Sequence, residues 1–434
     1  MKRVAILTNF NSCDQAYSLN RVVQDQIKML TKAGYEPIVI VAKASLWDNP
    51  PENYGLPGVE LRYVPNVPVS NEVKTDETFD QDVISLRSAI AEALEGVDVV
   101  LTHDIIYQPA ALKHNVASRM IAKEKPNLLW LHWIHSATSP YTLINLRDYF
   151  KDEYLNVLQT PFPNSFYIFF NDYSIPRIAK NFGVGEEDVK VVHHPTDYCR
   201  FFRFSPALEE IVDDKKMLFA DAICVFPARL DRGKQVEMAI KIMASLKKLG
   251  RSVKMIVVDF HSTGGDKVTY REELKHIGID WGLNEDELLF TSDLRPEWKY
   301  EVPQEIVSQL QVMANVFVMP SKSESYSLVT QEAALAFSVG VLNSDFPPFR
   351  DIFGSGPFYQ QFSSNIDALT GQDGETTTKY ENEKGYMEDI ARKINYELSF
   401  NRVLTWNMRL RKERNLEAIF RNELEPLINY EKVK

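Results

Sequence analysis

The sequence predicts an α/β protein built from two doubly wound parallel-sheet domains in series. Short apolar runs alternate along the chain with helix-length amphipathic stretches, as strand–helix–strand crossovers do in parallel sheets. The runs are apolar without alternation, which is typical of strands buried on both faces. This rhythm starts a second time after the acidic segment 204–221, so we expect two similar domains.

The first series of strands begins at residues 4–8. Ser18 can cap the helix that follows, and Gly34 closes it before the next apolar run. The apolar runs that follow in this half are 37–42, 98–103, 127–133, 165–170 and 189–193. We therefore expect a first domain over residues 1–204.

The second series contains an amphipathic helix over 236–250 among its strand-like runs. These runs are 223–228, 254–259, 288–291, 316–319 and 339–343. We expect a linker at 205–221, a second domain at 222–386 and a helical tail at 387–434. The polar stretch 371–385 is typical of a surface loop.

Charge and composition narrow the class of protein. The chain has 434 residues, with 49 Lys and Arg against 60 Asp and Glu, a net charge of −11. This balance disfavours broad affinity for nucleic acid or anionic membranes, because Lys and Arg supply phosphate contacts. Its three cysteines, Cys13, Cys199 and Cys224, are too far apart for a disulfide framework, which favours a reducing compartment.

Hydropathy gives no sign of a membrane segment. No uncharged apolar run approaches the roughly 18–20 residues needed to span a bilayer. The first apolar run is also shorter than the roughly 7–15 residues of a secretory signal. We therefore expect a cytoplasmic protein without an integral membrane segment.

The strongest chemical signal follows the strand 316–319 directly. Glu324 and Glu332 stand eight residues apart, and a helix is predicted to start near Leu328. A helix start offers free backbone N–H groups and a positive dipole end, which suit an anion. Glu324 precedes this start, and Glu332, one turn into the helix, can accept hydrogen bonds from a diol. The spacing by itself also fits an exposed acid pair at an ordinary loop–helix junction.

A second signal follows the strand 223–228. Arg229 and Lys234 flank a turn at the start of the next helix. Two cations at a strand end suit a diphosphate, because Arg offers a planar fork and Lys a point charge. Considered alone, this pattern also fits a solvated basic turn.

Together these residues resemble the donor-binding domain of retaining GT-B glycosyltransferases of the glycosyltransferase family 4 type. The order and spacing match over about 223–351, from Arg229 and Lys234 to the segment VFVMPSKSESYSLVTQEA with its two glutamates. The first half matches more loosely. The resemblance implies two Rossmann-like domains facing across a cleft, with a helical tail returning to the first domain.

The resemblance also implies roles for the donor-side residues. Arg229 and Lys234 would hold the donor diphosphate, Glu332 the ribose hydroxyls and Glu324 the transferred sugar. The backbone amides that follow Glu324 would help to hold the sugar; they belong to Ser325, Tyr326, Ser327 and Leu328. Two cations and a helix start stabilise the charge that develops on the departing phosphate.

The same resemblance guides our expectations of cofactor and stereochemistry. No Asp-x-Asp pair stands at a strand end, so we expect catalysis without a divalent metal or other cofactor. The co-substrate would be a nucleotide sugar, with UDP the commonest nucleotide in the family. The family implies retention by attack on the front face of the anomeric carbon, with the departing phosphate taking the acceptor proton.

Histidines stand at strand ends in the first half. If the strand ends at Leu131, His132 and His135 follow it, and the family often has a histidine here near the donor sugar. We favour His132 as the catalytic residue because it is nearer the strand end. His103 and Asp104, after another strand, can line the acceptor side or cap the next segment.

The first loop departs from the family pattern. Paired glycines commonly approach the donor phosphate there, but residues 9–18 contain none. The side chain of Asn9, Asn11 or Ser12 can substitute for the missing backbone contact.

The acceptor stays open between a small molecule, a glycan and, less favoured, DNA with hydroxymethylated bases. Two features can be cited for DNA: the aromatic and basic run 198–204, and the residues Arg295, Trp298 and Lys299. A strand tail with a packed core explains the first better, and a loop explains the second better. Two other classes remain: a non-catalytic nucleotide-sugar-binding protein and a sugar-nucleotide epimerase. The first would be expected to lack Arg229, Lys234 or Glu332, and the second would need a cleft of catalytic acids.

Overall fold

A computed structural model describes most of the chain, in two compact units. Unit 1 comprises Met1–Thr196 with Arg414–Lys434, and unit 2 comprises Asp197–Glu413. The described residues are 2–9, 18–43, 59–65, 78–108, 111–138, 156–227, 230–259, 267–322, 324, 326–362 and 383–431.

Unit 1 contains a parallel sheet whose strand order is β3-β2-β1-β4-β5-β6-β7. Its strands are β1 (Val4–Leu7), β2 (Ile38–Lys43), β3 (Glu60–Pro65), β4 (Val99–His103), β5 (Leu129–Trp133), β6 (Ser165–Phe169) and β7 (Val189–Val191). Every residue of β1, β4 and β5 is buried. This explains why their sequences are mostly apolar, because helices cover both faces of a parallel sheet.

Within the described part of unit 1, four helices follow strands of this sheet: α1 (Ser18–Lys32), α2 (Phe79–Ala93), α3 (Leu112–Glu124) and α4 (Ile175–Phe182). Helix α1 buries Val23, Ile27 and Leu30 against one face of the sheet, at the predicted helical spacing. Gly183 caps the C-terminus of helix α4, and its φ of +61° is the left-handed conformation that favours glycine at this position.

Unit 2 contains a second parallel sheet, with the strand order β10-β9-β8-β11-β12-β13. Its strands are β8 (Ala222–Phe226), β9 (Val253–Val257), β10 (Leu288–Phe290), β11 (Val316–Met319), β12 (Val339–Asn343) and β13 (Phe358–Gln360). Strands β8 and β9 are neighbours in this sheet. The next two strands in the chain lie on opposite sides of that pair: β10 is beside β9, and β11 is beside β8. The chain therefore reverses direction across the sheet next to β8, which is where ligands of doubly wound sheets bind.

The helices of unit 2 are α5 (Tyr198–Phe201), α6 (Pro206–Asp214), α7 (Val236–Lys248), α8 (Lys267–Trp281), α9 (Thr291–Leu294), α10 (Gln304–Met313), α11 (Leu328–Leu335), α12 (Pro348–Phe353), α13 (Glu383–Phe400) and α14 (Arg402–Glu413). Helices α7 and α13 share one core, to which Met243 and Ile394 contribute. Helix α6 lies in the segment expected to be a linker. It is capped by Ser205, whose Oγ accepts from the Leu208 N–H at 3.3 Å.

The last helices belong to unit 1 although they follow unit 2 in the chain. They are α15 (Leu416–Ile419), a π-helical turn (Phe420–Leu424) and α16 (Glu425–Ile428). Leu416, Phe420 and Leu424 are buried in the same core as β1 and α1. The tail is fixed further by Lys2, whose Nζ donates to the Ile428 carbonyl at 3.0 Å.

The predicted fold class is confirmed: two parallel sheets, each with helices, and a helical C-terminal tail. The boundaries differ from the expected ones, because unit 2 begins at Asp197 and retains α13 and α14, so that the segment of the tail in unit 1 is Arg414–Lys434. Within the described residues, no helix is long and apolar enough to cross a membrane.

Candidate functional site

In unit 2, the turn that carries Lys234 lies at the carboxyl end of the central strand β8. The 3₁₀ turn Arg232–Lys234 follows the strand, and Gln235, at a φ of +50°, redirects the chain into α7. The turn is held from the loop after β11, because the Lys322 N–H donates to the Gly233 carbonyl at 2.9 Å. Lys234 is thereby fixed at the edge of the sheet where ligands of such folds bind.

The loop after β11 is also tied to the sheet. The Ser321 side chain is fully buried, and the Ser321 carbonyl accepts from Asn343 Nδ2 at 3.0 Å. Ser321 Oγ donates to Glu324 Oε1 at 3.1 Å, which orients this carboxylate. The structure thus holds Glu324 through β11 and β12 rather than leaving it on a free surface loop.

Lys234 and Glu324 form an ion pair, in which Lys234 Nζ donates to Glu324 Oε1. Only 17% of the lysine side chain and 15% of the glutamate side chain are exposed. The two residues are 90 positions apart in the chain, and they meet because β8 and β11 are neighbours in the sheet. Two of the donor-side residues predicted from the sequence are therefore brought together.

Ser327 precedes the first turn of α11 in a left-handed conformation. Its φ is +71°, which is unusual for a residue other than glycine, and it is buried. Ser327 Oγ is within 2.8 Å of Thr330 Oγ1, and the Thr330 N–H donates to the Ser327 carbonyl. These two hydrogen bonds stabilise a backbone conformation that costs energy in isolation, as is often found at functional sites.

The other donor-side residues lie on or beside α11. Glu332 is half-buried, and its carboxylate has neither an ion pair nor a hydrogen bond to any other described residue. Tyr326 and Leu328 are exposed, and Tyr326 Oη accepts from Gln331 Nε2 at 2.7 Å. Arg229 and Ser325 lie outside the described residues.

Sequence reasoning missed a second charged cluster at this edge of the sheet. Asp259, just beyond β9, is buried and accepts from the Ser292 N–H at 2.8 Å. Arg271 of α8 forms ion pairs with Asp259, at 3.1 Å, and with Asp293. A buried Asp just after a strand was the available signal, but its partners on α8 and α9 depend on the tertiary fold.

In unit 1, the carboxyl ends of β4 and β5 bring histidines together. His103, the last residue of β4, is fully buried, and its Nε2 lies 2.8 Å from Gln26 Oε1 of α1. His103 Nδ1 lies 3.0 Å from Nε2 of His135, whose ring is within 20° of coplanar with it. His194, after β7, stacks parallel to His135 with ring centroids 5.9 Å apart.

The pKa values of all three histidines are lowered, which favours their neutral forms. Burial holds the pKa of His103 well below its ordinary value, and its neighbours His135 and His194 lower that pKa further. Burial lowers the pKa of His135 to about 4, and it also lowers the pKa of His194. Sequence reasoning found His103 and His135 but missed Gln26 and His194.

The expectation that His132 follows the strand is wrong. Strand β5 continues to Trp133, and His132 is therefore inside it and fully buried. Its Nδ1 lies 2.8 Å from Thr102 Oγ1, and its ring packs edge-on against Phe162 with centroids 4.4 Å apart. Burial, with the charge of Arg119, holds the pKa of His132 well below its ordinary value. The structure therefore places His132 among core side chains, and His135 as the histidine beyond the strand.

Asp104 is the left-handed residue that follows β4, with a φ of +59°. It is buried, and its Oδ1 accepts from the hydroxyl of Tyr107. Burial and the adjacent carboxylate raise the pKa of Tyr107. Asn9 is half-buried two residues beyond β1, and Asn11 lies outside the described residues. Among the residues that the structure describes, no three His, Cys, Asp or Glu side chains form a group suited to a metal ion.

One family model matches the part of the sequence that contains the Lys234–Glu324 pair. Residues 211–369 match the family model described as glycosyl transferases group 1. The matched segment lies within unit 2 and includes both residues of the pair and Glu332. A search of the curated proteins found no match.

Solved structures similar to the chain cover almost all of it, at low sequence identity. A glycosyltransferase from Rickettsia africae ESF-5 is 15% identical, with 98% of each chain covered and a TM-score of 0.36. Anabaena Alr3699/HepE in complex with UDP and glucose is 15% identical, with 99% of this chain and 100% of that chain covered and a TM-score of 0.36. The sucrose-phosphate synthase from Thermosynechococcus elongatus is 15% identical, with 96% of each chain covered and a TM-score of 0.35. Values this low carry no information about the activity of this chain.

Proposed function

We propose that this protein transfers a sugar from a nucleoside diphosphate sugar to an acceptor hydroxyl, with retention of anomeric configuration and without a divalent metal. The observation that carries the proposal is the Lys234–Glu324 pair, at the carboxyl edge of the unit 2 sheet and within the segment that matches the group 1 glycosyltransferase model. UDP-hexoses are the favoured donors, on the basis of the family resemblance.

In this proposal, Lys234 and Arg229 of unit 2 act on the leaving group. The bond from the anomeric carbon to the phosphate oxygen breaks, and negative charge develops on the β-phosphate. Lys234, with Arg229, stabilises that charge, and such fixed groups contribute about 2.7–4 kcal/mol to lowering a barrier. A new bond joins the acceptor oxygen to the same face of the anomeric carbon, and the acceptor proton passes to the departing phosphate.

The carboxylates bind the uncharged parts of the donor. Glu332, which has no partner among the described side chains, is available for the ribose hydroxyls. Glu324 exchanges its bond to Lys234 for a bond to the sugar when the phosphate takes over the lysine. His135 replaces His132 as the histidine proposed to contact substrate, because it lies beyond the strand and is half-buried.

DNA gains no support as the acceptor. Tyr198 and Phe204, from the aromatic run cited for it, are buried in a core, and so is Trp298. Arg295 is engaged with Glu210 and Glu297. A small molecule or a glycan therefore remains the favoured acceptor. The buried free thiols of Cys199 and Cys224 support a reducing, cytoplasmic location.

A donor panel tests the proposed function. The full chain is incubated with UDP-, GDP- and ADP-sugars, with and without EDTA, and release of the nucleoside diphosphate is measured. We expect one donor class to turn over with EDTA present, and NMR of the product to show the anomeric configuration of the donor. Glu332→Gln should weaken nucleotide binding, whereas Glu285→Gln, on the loop before β10, is the matched control. No turnover with any donor, or an epimerised donor instead of a transferred sugar, would overturn the proposal.

A further inference from the structure

Three side chains of unit 1 form a hydrogen-bonded line that ends at the carboxyl edge of its sheet. The line runs from Gln26 of α1, through His103 at the end of β4, to His135 beyond β5. Its two contacts are 2.8 Å, between Gln26 Oε1 and His103 Nε2, and 3.0 Å, between His103 Nδ1 and His135 Nε2. Gln26 and His103 are 2% and 0% exposed, whereas His135 is half-buried, so the line leads from the core toward the surface of the unit.

The direction of the hydrogen bonds follows from the inventory of donors and acceptors. A neutral imidazole has one N–H donor and one bare nitrogen, so each ring in the line must donate on one side and accept on the other. Burial lowers the pKa of both histidines, so neither ring carries a second proton at neutral pH. Whichever group Gln26 presents to His103 therefore decides the tautomer of both rings.

We propose that Gln26 positions a proton acceptor on His135. Gln26 Oε1 accepts from His103 Nε2–H, so His103 Nδ1 is bare and accepts from His135 Nε2–H. His135 Nδ1, on the other side of the ring, is then bare and accepts a hydrogen bond from a substrate hydroxyl. This step rests on the proposed function, because the hydroxyl belongs to the sugar or to its acceptor.

A glutamine suits this task better than a carboxylate. A carboxylate beside His103 would favour its imidazolium, whose Nδ1–H would donate to His135 Nε2 and so leave the proton of the His135 ring on Nδ1. An uncharged amide orients the line without adding charge, and it leaves the terminal nitrogen as an acceptor. Gln26 is therefore a positioning residue that acts through His103, and it does not touch substrate.

The ring nitrogens of the full chain report the tautomers directly. We expect ¹⁵N NMR of histidine-labelled protein at pH 7, with resonances assigned from His103→Phe and His135→Phe, to show His135 with a proton on Nε2 and a bare Nδ1. In Gln26→Leu this order should be lost and a His135 population with Nδ1–H should appear. The control, Gln311→Leu, removes a buried glutamine of unit 2 and should leave both rings unchanged.

The wild-type spectrum decides the proposal even if Gln26→Leu fails to fold. A proton on His135 Nδ1 in the wild type, or tautomers that Gln26→Leu leaves unmoved, would overturn it. The NMR readout needs no donor or acceptor, so a chain with the expected tautomers but no transferase activity would overturn the proposed function alone. In an active chain, Gln26→Glu should lower kcat at least about tenfold with little change in donor KM, because the acceptor nitrogen is protonated. An unchanged kcat would contradict the proposed role of Gln26.

Discussion

The two sheets present different chemistry at their carboxyl edges. Unit 1 ends in uncharged rings, His103 and His135, joined to an amide. Unit 2 ends in formal charges, of which Lys234 and Glu324 neutralise each other and Arg271 is bound to aspartates. Six of the eight histidines belong to unit 1: His103, His114, His132, His135, His193 and His194. Neutral donors and acceptors suit sugar and acceptor hydroxyls, whereas exchangeable ion pairs suit a diphosphate.

The largest expected effect is a loss of transfer activity when Lys234 of unit 2 is replaced. Lys234→Met removes a positive charge that we assign to the leaving phosphate, so kcat/KM should fall by about 10²–10³-fold. Steady-state kinetics with the donor found in the panel measures this change. Lys248→Met is the matched control, because Lys248 lies at the far end of α7 over the Trp281 ring. Equal activity in the two variants would contradict the role of Lys234.

The second expected effect is an acid sensitivity confined to unit 1. Burial lowers the pKa of His114, in α3, to about 4, compared with an unfolded value of about 6.5. The unfolded chain therefore binds the proton first, and stability falls as the pH drops from about 6.5 toward 4. For His114 alone this predicts a loss of about 2 kcal/mol in the free energy of unfolding between pH 7 and pH 5.

Urea unfolding at pH 7 and pH 5 measures this loss, and limited proteolysis identifies the unit that opens. His114→Leu should reduce the difference between the two pH values by about 2 kcal/mol. Leu112→Ala, which truncates a buried residue of the same helix, should instead lower stability equally at both. If His114→Leu and the wild type have the same pH dependence of stability, His114 is not the cause of the acid sensitivity. If unit 2 is cleaved before unit 1 at pH 5, the acid sensitivity is not confined to unit 1.

Most of the fold could be predicted from the sequence because strands buried on both faces of a parallel sheet consist mainly of apolar residues. It missed the edge strands β3 and β13, which are partly exposed or only three residues long. It also missed α6, although Ser205 and Pro206 are a helix-start signal and the apolar residues of this helix recur at helical spacing. Short or polar edge strands carry too little periodicity to be distinguished from loops.

The candidate site was predicted less completely than the fold. Lys234 and Glu324 were found from their places after strands, but their ion pair depends on the adjacency of β8 and β11. The position of His132 was predicted wrongly because strand β5 ends at Trp133, two residues later than expected. A difference of two residues decides whether this side chain lies in the core or beyond the strand. Gln26 was missed because a polar residue on the buried face of α1 has no motif of its own.

The smallest expected effect separates the two tasks of Glu324. UDP has a diphosphate but no sugar, so it competes with the Glu324 carboxylate for Lys234 and gains nothing from Glu324. Glu324→Gln should therefore tighten UDP binding several-fold, about 1 kcal/mol, as expected for releasing a partly screened ion pair. Calorimetric titration of UDP measures this, and transfer from the nucleotide sugar should fall in the same variant. Glu383→Gln, which frees Lys241 in the same unit, is the control and should change neither. Weaker UDP binding in Glu324→Gln would mean that the carboxylate orders Lys234 for the phosphate rather than competing with it. The charges of unit 2 would then form a preorganised site, like the histidine line of unit 1, and not an exchangeable pair.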